Sequence, residues 1–527
     1  MKKPEGKPID PVLLAPILHT GPGYWLTVVV LSAVVAWGIY AWVQQLRIGL
    51  GVTGMNTPVY WGLYITNFVF FIGISHAGTL ISAILRVAGA EWRRPITRAA
   101  EAITVFALIL GISQIIVDMG RPERVLNLIL FGRFQSPLLW DVLSVGVYLL
   151  GSITYLYLPL IPDLAILRDQ LPPGASAWRR WLYRTLALGW HGGPEQRRRL
   201  EKAIGIMAIL IIPIAVSVHT VVSWVFAMTL RPMWHSTIFG PYFVIGAIYS
   251  GIATIIIAMA LIRKAWHLEA YLKPLHFNYL ALLLVVLNAL WFYFTFAEYL
   301  TTGYGNVPVE MAVFGAKLGG EFRLVFWGMV TCMALAFACI VFPRLLPTGW
   351  VRAAYPQLRP VAVTATAALL LTMGLLALQP SPVAVMLGLE LSAILRALVP
   401  ALLVVPFLAS LIYFKERIIA QAVVASLLVD VGMWLERFTI VVPTETRPMQ
   451  AGYLIGIYHP TWVEWAITAA AFAAFALIYL LFVKLFPIIS IWEVQEAPEA
   501  IPTIVQRLRS YLPETGRDSE ISAGENR

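Results

Sequence analysis

The stretch Thr66–Arg86, TNFVFFIGISHAGTLISAILR, decides how the rest of the chain is read. It is apolar over about the 20 residues that a helix needs to cross a bilayer, and it carries His76 well inside. An ionisable ring at that depth is costly and needs a partner, which makes His76 a candidate functional residue. The alternative is a histidine satisfied by a neighbouring helix.

The surrounding composition agrees with a membrane setting. Of 527 residues, 59% are hydrophobic and 13% charged, and the mean hydropathy is +0.78. Soluble domains carry roughly 25% charged residues. Here the charges gather between long apolar runs, so the expected fold is all-α and polytopic, and a globular soluble enzyme is excluded. The net charge of +10 would suggest nucleic acid in a soluble chain. Membrane topology explains it better, and no nucleic-acid partner is expected. The opening MKKPEGKPIDPVLLAPILHTGPG lacks a small-residue cleavage site, so no cleavable signal peptide is expected. Cys332 and Cys339 are the two cysteines. An iron–sulfur cluster takes about four thiolates, so these read as buried apolar side chains and no metal site is expected.

Apolar spans fall at 24–46, 59–87, 96–119, 137–161, 203–229, 240–264, 277–301, 321–345, 360–379, 391–413, 419–442 and 464–487. Pro400, Pro406 and Arg396 interrupt the pair at 360–379 and 391–413, so the total is ten to twelve. An even number puts both termini on one side. Lys2, Lys3 and Lys7, then Arg86, Arg93, Arg94 and Arg98, then the arginines of 168–199 make that side cytoplasmic by the positive-inside rule. The expected membrane is the bacterial inner membrane.

Ser75, Thr79 and Ala83 on the second span repeat as Ser250, Thr254 and Ala258 on the sixth, which suggests a parallel repeat of two four-helix bundles. Small residues at this spacing also serve plain helix packing. The expected layout is a cytoplasmic segment 1–23, a first bundle 24–161, a basic cytoplasmic loop 162–202 and a second bundle 203–345. An inserted apolar hairpin 346–418, a C-terminal transmembrane pair 419–487 and a cytoplasmic tail 488–527 complete it.

With that orientation, several spans place polar residues toward the outer face: Asp118 and Arg121, Asp141, His219, Glu298 and Tyr299, Glu321 and Arg323, and Glu436 with Arg437. The inner half holds Arg86, Glu101, Asp163 and His267; Glu101 and Asp163, with His219, are candidates for a proton path. A carboxylate–histidine–arginine group in an apolar pocket suits quinol oxidation, which releases two protons as two electrons leave. A histidine takes one, and a carboxylate takes the other or holds the imidazole. Aromatic and aliphatic walls would admit an isoprenoid tail. The same residues would serve a proton-coupled secondary transporter or a structural anchor subunit. His76 and His219 are the deep pair that a bis-histidine haem would need, but the paired histidines of a cytochrome b are absent, and no haem is expected.

GISHAGTLISAILR, DMGRP, SPLLWDV with IPDLA, VSVHTVVSW with WHSTIFGPYFVIGAIYSG, and VGMWLERFTIVV with YHPTWVEWA together resemble the NrfD/PsrC family of integral membrane subunits, most of all its alternative complex III branch. The resemblance covers about residues 60–485. It implies a chain without its own redox cofactor that binds menaquinol (oxidised to menaquinone) near the extracytoplasmic face and is not catalytic alone. The implied partners are an iron–sulfur subunit docked on that face, a paralogous NrfD-like membrane subunit, monohaem or multihaem cytochrome c subunits, and lipids. Proton translocation is part of the same expectation. His76, Asp118 and Asp141 are the implied catalytic residues. Together with the outer-face placement of His219, Glu298, Tyr299 and Arg323, this makes the expected quinol-binding set His76, Arg121, Asp141, His219, Glu298, Tyr299 and Arg323. Two departures stand out. Val225 follows the tryptophan of VVSW where the family pattern has an acid, and the 348–416 stretch is extra.

Overall fold

The structure is a computed structural model that describes residues 10–18, 20–170, 176–345, 417–448 and 455–495. Among these residues ten helices are long and apolar enough to cross a membrane. They are α1 (Pro22–Ile48), α2 (Leu63–Val87), α3 (Thr97–Asp118), α4 (Pro137–Gln170), α5 (Pro194–Ala227), α6 (Phe239–Ala265), α7 (Pro274–Gly305), α8 (Arg323–Leu345), α9 (Ile418–Glu445) and α10 (Trp462–Leu485). The chain is a polytopic all-α membrane protein. The expected hairpin lies almost wholly outside the described residues, as does the end of the tail.

Successive helices run in opposite directions, so each end of the molecule collects alternate termini. At one end Gln45 of α1 donates to Val117 O of α3, and Tyr64 of α2 donates to Gln45. Glu464 of α10 and Glu445 of α9 accept there from Gly54 N and Tyr60 N. At the other end Arg344 of α8 donates to Asn278 of α7, and Gln421 of α9 to Cys339 O of α8. The carboxylates of the expected site share the first end. Arg86, Arg93, Arg94 and Arg98 share the second.

Packing gathers most of the spanning helices into two groups. The helices α2, α3, α4 and α5 close one ring of contacts, and α6, α7, α8 and α9 close another, with α2 against α6 between them. The helix α1 packs mainly along α10, outside both rings. The contacts thus gather α2–α5 and α6–α9, with α1 beside α10. The physical reason lies in the small residues. A Cβ on Gly78 would fall 2.0 Å from Ala100 O, and one on Gly251 only 2.3 Å from Ala77 Cβ. The helices α2, α3 and α6 thus approach as closely as backbones allow, and α2 becomes the buried centre. By contrast α1 is apolar all round and mostly exposed, the property of a lipid-facing helix.

The basic loop 162–202 is largely helical. The helix α4 runs on through Pro159 and Pro162 to Gln170, a separate helix covers Ala177–Leu186, and α5 begins at Pro194, where a first-turn proline has no backbone donor to lose. The tail's first residues are also built in. Glu493 pairs with Arg86 and with Arg93, the latter at 3.0 Å.

Candidate functional site

A cavity of about 670 Å3 opens at the carboxylate end of the α2–α5 ring. Its walls come from Trp61, Ile65 and Phe68 at the start of α2, Ile115 and Asp118 at the end of α3, Asp141 near the start of α4, and Val222, Val225 and Phe226 at the end of α5. The connector between α3 and α4 closes it with Arg124, Asn127 and Arg133. The volume lies within the roughly 300–1,000 Å3 of small-molecule sites, and the lining has their character, apolar with a few polar groups.

Asp118 and Asp141 line this cavity together, and each has a buried Oδ1 with no hydrogen-bond partner. Orphaned carboxylate oxygens are costly unless a ligand or water meets them. Arg121 is exposed and outside the lining; Arg124 and Arg133, one helical turn and one short helix further on, supply the cations instead. Val225 is part of the same wall, so the position where the family pattern has an acid is here an apolar patch of the cavity.

His76 is fully buried and lies deeper, outside the lining. Three elements position it. Gly78 lets α3 approach, and Thr104 Oγ1 then donates to Ser75 O at 2.7 Å while accepting from Thr79 N at 2.8 Å. From α4, Tyr148 Oη donates to the same Ser75 O at 3.1 Å, its ring centroid 5.0 Å from that of His76. From α5, His219 meets His76 edge to face, centroids 4.1 Å apart.

Both nitrogens of His76 face carbonyl oxygens, Nδ1 that of Ile72 at 3.0 Å and Nε2 that of Ala215 at 2.5 Å. Carbonyls only accept, so the ring can donate to both only when doubly protonated. Neither nitrogen of His219 has a hydrogen-bond partner. In the neutral ring one of these two contacts is a donated hydrogen bond, and His219 beside it has free hydrogen-bonding capacity. Val222 of the cavity wall is one turn above His219, about 4.5 Å along the helix, and Asp141 is about 10 Å along α4 above Tyr148.

Sequence reasoning missed Tyr148 and left Arg437 outside the site. Arg437 is buried between the two rings, Nη1 2.7 Å from Glu436 Oε2 and its guanidinium 5.1 Å over the Phe243 ring. A Cβ on Gly246 would lie 2.8 Å from its Nη2. Tyr148 was legible in the pattern: Asp141, Val145, Tyr148, Ser152 and Tyr155 form one buried stripe at helical spacing.

The remaining candidates fall elsewhere. Glu298 and Tyr299 line a second cavity, of about 20 Å3, with Tyr242, Lys317 and Glu436 in the α6–α9 ring. That is room for about one water. Lys317, on the helix Pro308–Leu318, is buried, and its amine lies 5.9 Å from the Tyr299 ring centroid. Burial brings its pKa down to about 8 against the pull of Glu298. Arg323 is exposed. Glu101 accepts from Ser82 at 2.6 Å near the basic end. Asp163 pairs with Arg98 and accepts from Ile491 N and Trp492 N, which docks the chain after α10. Among the described residues no group of three or more His, Cys, Asp or Glu side chains is placed to hold a metal.

Among the described residues, ten helices long and apolar enough to span, four of them around a carboxylate-walled cavity, define an integral multi-pass membrane protein with a candidate site at one end. The chain belongs to the NrfD family: the family model described as "Polysulphide reductase, NrfD" matches residues 51–385. It is 30% identical over 238 residues to a putative dimethyl sulfoxide reductase membrane subunit of Halobacterium salinarum, over 45% of this chain and 51% of that protein. It is 24% identical over 333 residues to a selenate reductase subunit of Mesobacillus selenatarsenatis, 61% of this chain and 76% of that one. An Hdr-like menaquinol oxidoreductase integral membrane subunit of Archaeoglobus fulgidus matches at 24% over 282 residues, 53% and 61% of the two chains. The match thus spans about half the length of the first of these curated relatives.

Proposed function

We propose that this chain is the quinol-oxidising membrane subunit of a multisubunit redox complex of the alternative complex III type. The cavity walled by Asp118 and Asp141 carries the reading. Its aromatic and aliphatic sides suit the ring and tail of menaquinol, and the two orphaned carboxylate oxygens suit the quinol hydroxyls. Oxidation releases two electrons and two protons. Asp118 and Asp141 each accept one proton from the hydroxyl that meets it, and the His76–His219 pair below provides the next acceptor for a proton passed on. The electrons leave to an iron–sulfur subunit docked over the same end, and from there to cytochrome c subunits. The menaquinol-linked name of the Archaeoglobus relative supports this substrate class. The four basic side chains of Arg86, Arg93, Arg94 and Arg98 at the opposite end support a cytoplasmic side there, and with it a cavity that faces outward. Proton translocation would use the buried groups between the two ends.

The test is quinone content and inhibitor competition in the purified complex. Menaquinone should co-purify in about equimolar amount and be displaced by a quinol-site inhibitor. A complex that turns over with no quinone bound or competing at this cavity overturns the proposal. A proton-coupled transporter, with substrate held by unwound helices at the midplane, has less support, since each of the ten helices is continuous.

A further inference from the structure

We propose that the helix Ala177–Leu186 is an interfacial anchor that binds anionic phospholipid headgroups. Its sequence is AWRRWLYRTL, with three arginines, two tryptophans and no acid. The structure fixes its depth. Tyr183 Oη donates to Leu485 O and Arg179 Nη2 to Lys484 O, both at 2.8 Å, so the helix rests on the last turn of the spanning helix α10. Tyr157 of α4 donates to Leu186 O at 2.7 Å from the other side. The helix therefore lies where the hydrocarbon of the bilayer gives way to headgroups, at the end of the molecule where the basic residues gather.

At about 100° per residue, Arg179, Leu182, Tyr183 and Leu186 make the protein-facing side, and Tyr183 is fully buried. The two remaining flanks differ in chemistry. One carries Trp178 and Trp181, 53% and 66% exposed. The other carries Arg180 and Arg184, both exposed, and among the described residues neither is in an ion pair. Two exposed indoles beside two unpaired guanidiniums make a poor water-facing surface. They fit a membrane interface, where indole rings settle at headgroup depth and guanidiniums take phosphate oxygens in pairs. The nearby carboxylates leave those arginines free: Asp169 is held by Arg168, and Glu195 by Arg198 and Arg199. The tryptophan flank selects a lipid over a free anion, because only a lipid supplies both phosphate and acyl chain.

The purified complex, washed in mild detergent and incubated with phosphatidylglycerol or phosphatidylcholine, gives the readout by native mass spectrometry. Wild type should retain phosphatidylglycerol in preference to phosphatidylcholine. The R180Q/R184Q variant should lose that retention by about tenfold or more, and W178A/W181A should weaken it with the arginines intact. Both pairs are on the surface, and an unchanged thermal midpoint checks that the fold survives. Equal retention in wild type and R180Q/R184Q overturns the proposal, as does displacement of the lipid by millimolar inorganic phosphate with W178A/W181A unaffected.

Discussion

The His76 ring lies edge to face against His219, centroids 4.1 Å apart, across the contact between α2 and α5. Helices far apart in the chain are needed to make this pair, and Tyr148 from a third helix closes it. Replacement of His76 by alanine should lower quinol:acceptor turnover by about 10²-fold or more, the usual scale for a lost acid–base group. Assembly should survive, because the carbonyls that face His76 are backbone groups of intact helices. Wild-type turnover in the assembled variant removes the ring from the mechanism.

Asp118 and Asp141 should behave as a pair. The isosteric Asp118→Asn and Asp141→Asn keep the cavity's shape while removing the proton acceptor. Each should lower kcat/KM by about tenfold to a hundredfold, and the double variant should fall short of the product of the two, since they share one substrate. Steady-state kinetics with a soluble quinol analogue reads both effects.

Glu298 makes the contrasting case. It sits in the small cavity of the other ring with Lys317 and Glu436. Glu298→Gln should leave KM for quinol within about twofold of wild type, the behaviour of a residue that does not touch substrate. A large rise in KM would place quinol in the α6–α9 ring.

Gly251 tests the central helix contact. An alanine there would put its Cβ 2.3 Å from Ala77 Cβ and 2.7 Å from Ile74 O. The backbone must move, and Gly251→Ala should destabilise by about 1–3 kcal/mol. A lowered thermal midpoint in detergent, with Gly205→Ala as the control in open space, checks this.

Glu493 fastens the chain after α10 to Arg86 and Arg93. Burial opposes its charge, but the two arginines outweigh it and hold the carboxyl below its usual value of 4.5. The sign follows. The pairing contributes fully above pH 4.5 and is lost as pH falls through the lowered folded value. Amide exchange across 486–495, relative to the intrinsic rate at each pH, should therefore speed up only in acid. Glu493→Gln should speed it at neutral pH too, because it leaves buried guanidiniums unpaired at a cost of about 3–5 kcal/mol.

Membership of the fold class was legible from the chain alone. Every described span matches an apolar run, because a bilayer imposes length and polarity on each helix separately. Helix ends were less legible: α4 and α5 run well past their apolar cores, since nothing in hydropathy stops a basic amphipathic turn from staying helical. The resemblance to the NrfD family rested on motifs such as GISHAGTLISAILR, which are local, and it was confirmed.

The sequence by itself thus determined the helices, their alternation and the gathering of carboxylates at one end, all of which follow from hydropathy, charge and helical rise. Only the tertiary structure decided which helices close a ring, and so that α1 stands outside with α10. Only it separated Asp118 and Asp141 from Glu298, exposed Arg121 and Arg323, and set His76 against His219 and beneath the cavity. The reason is physical. In a membrane every spanning helix is apolar, so hydrophobicity cannot say which neighbour it meets. Close packing at residues such as Gly78, Gly246 and Gly251 decides that, and such contacts exist only between helices.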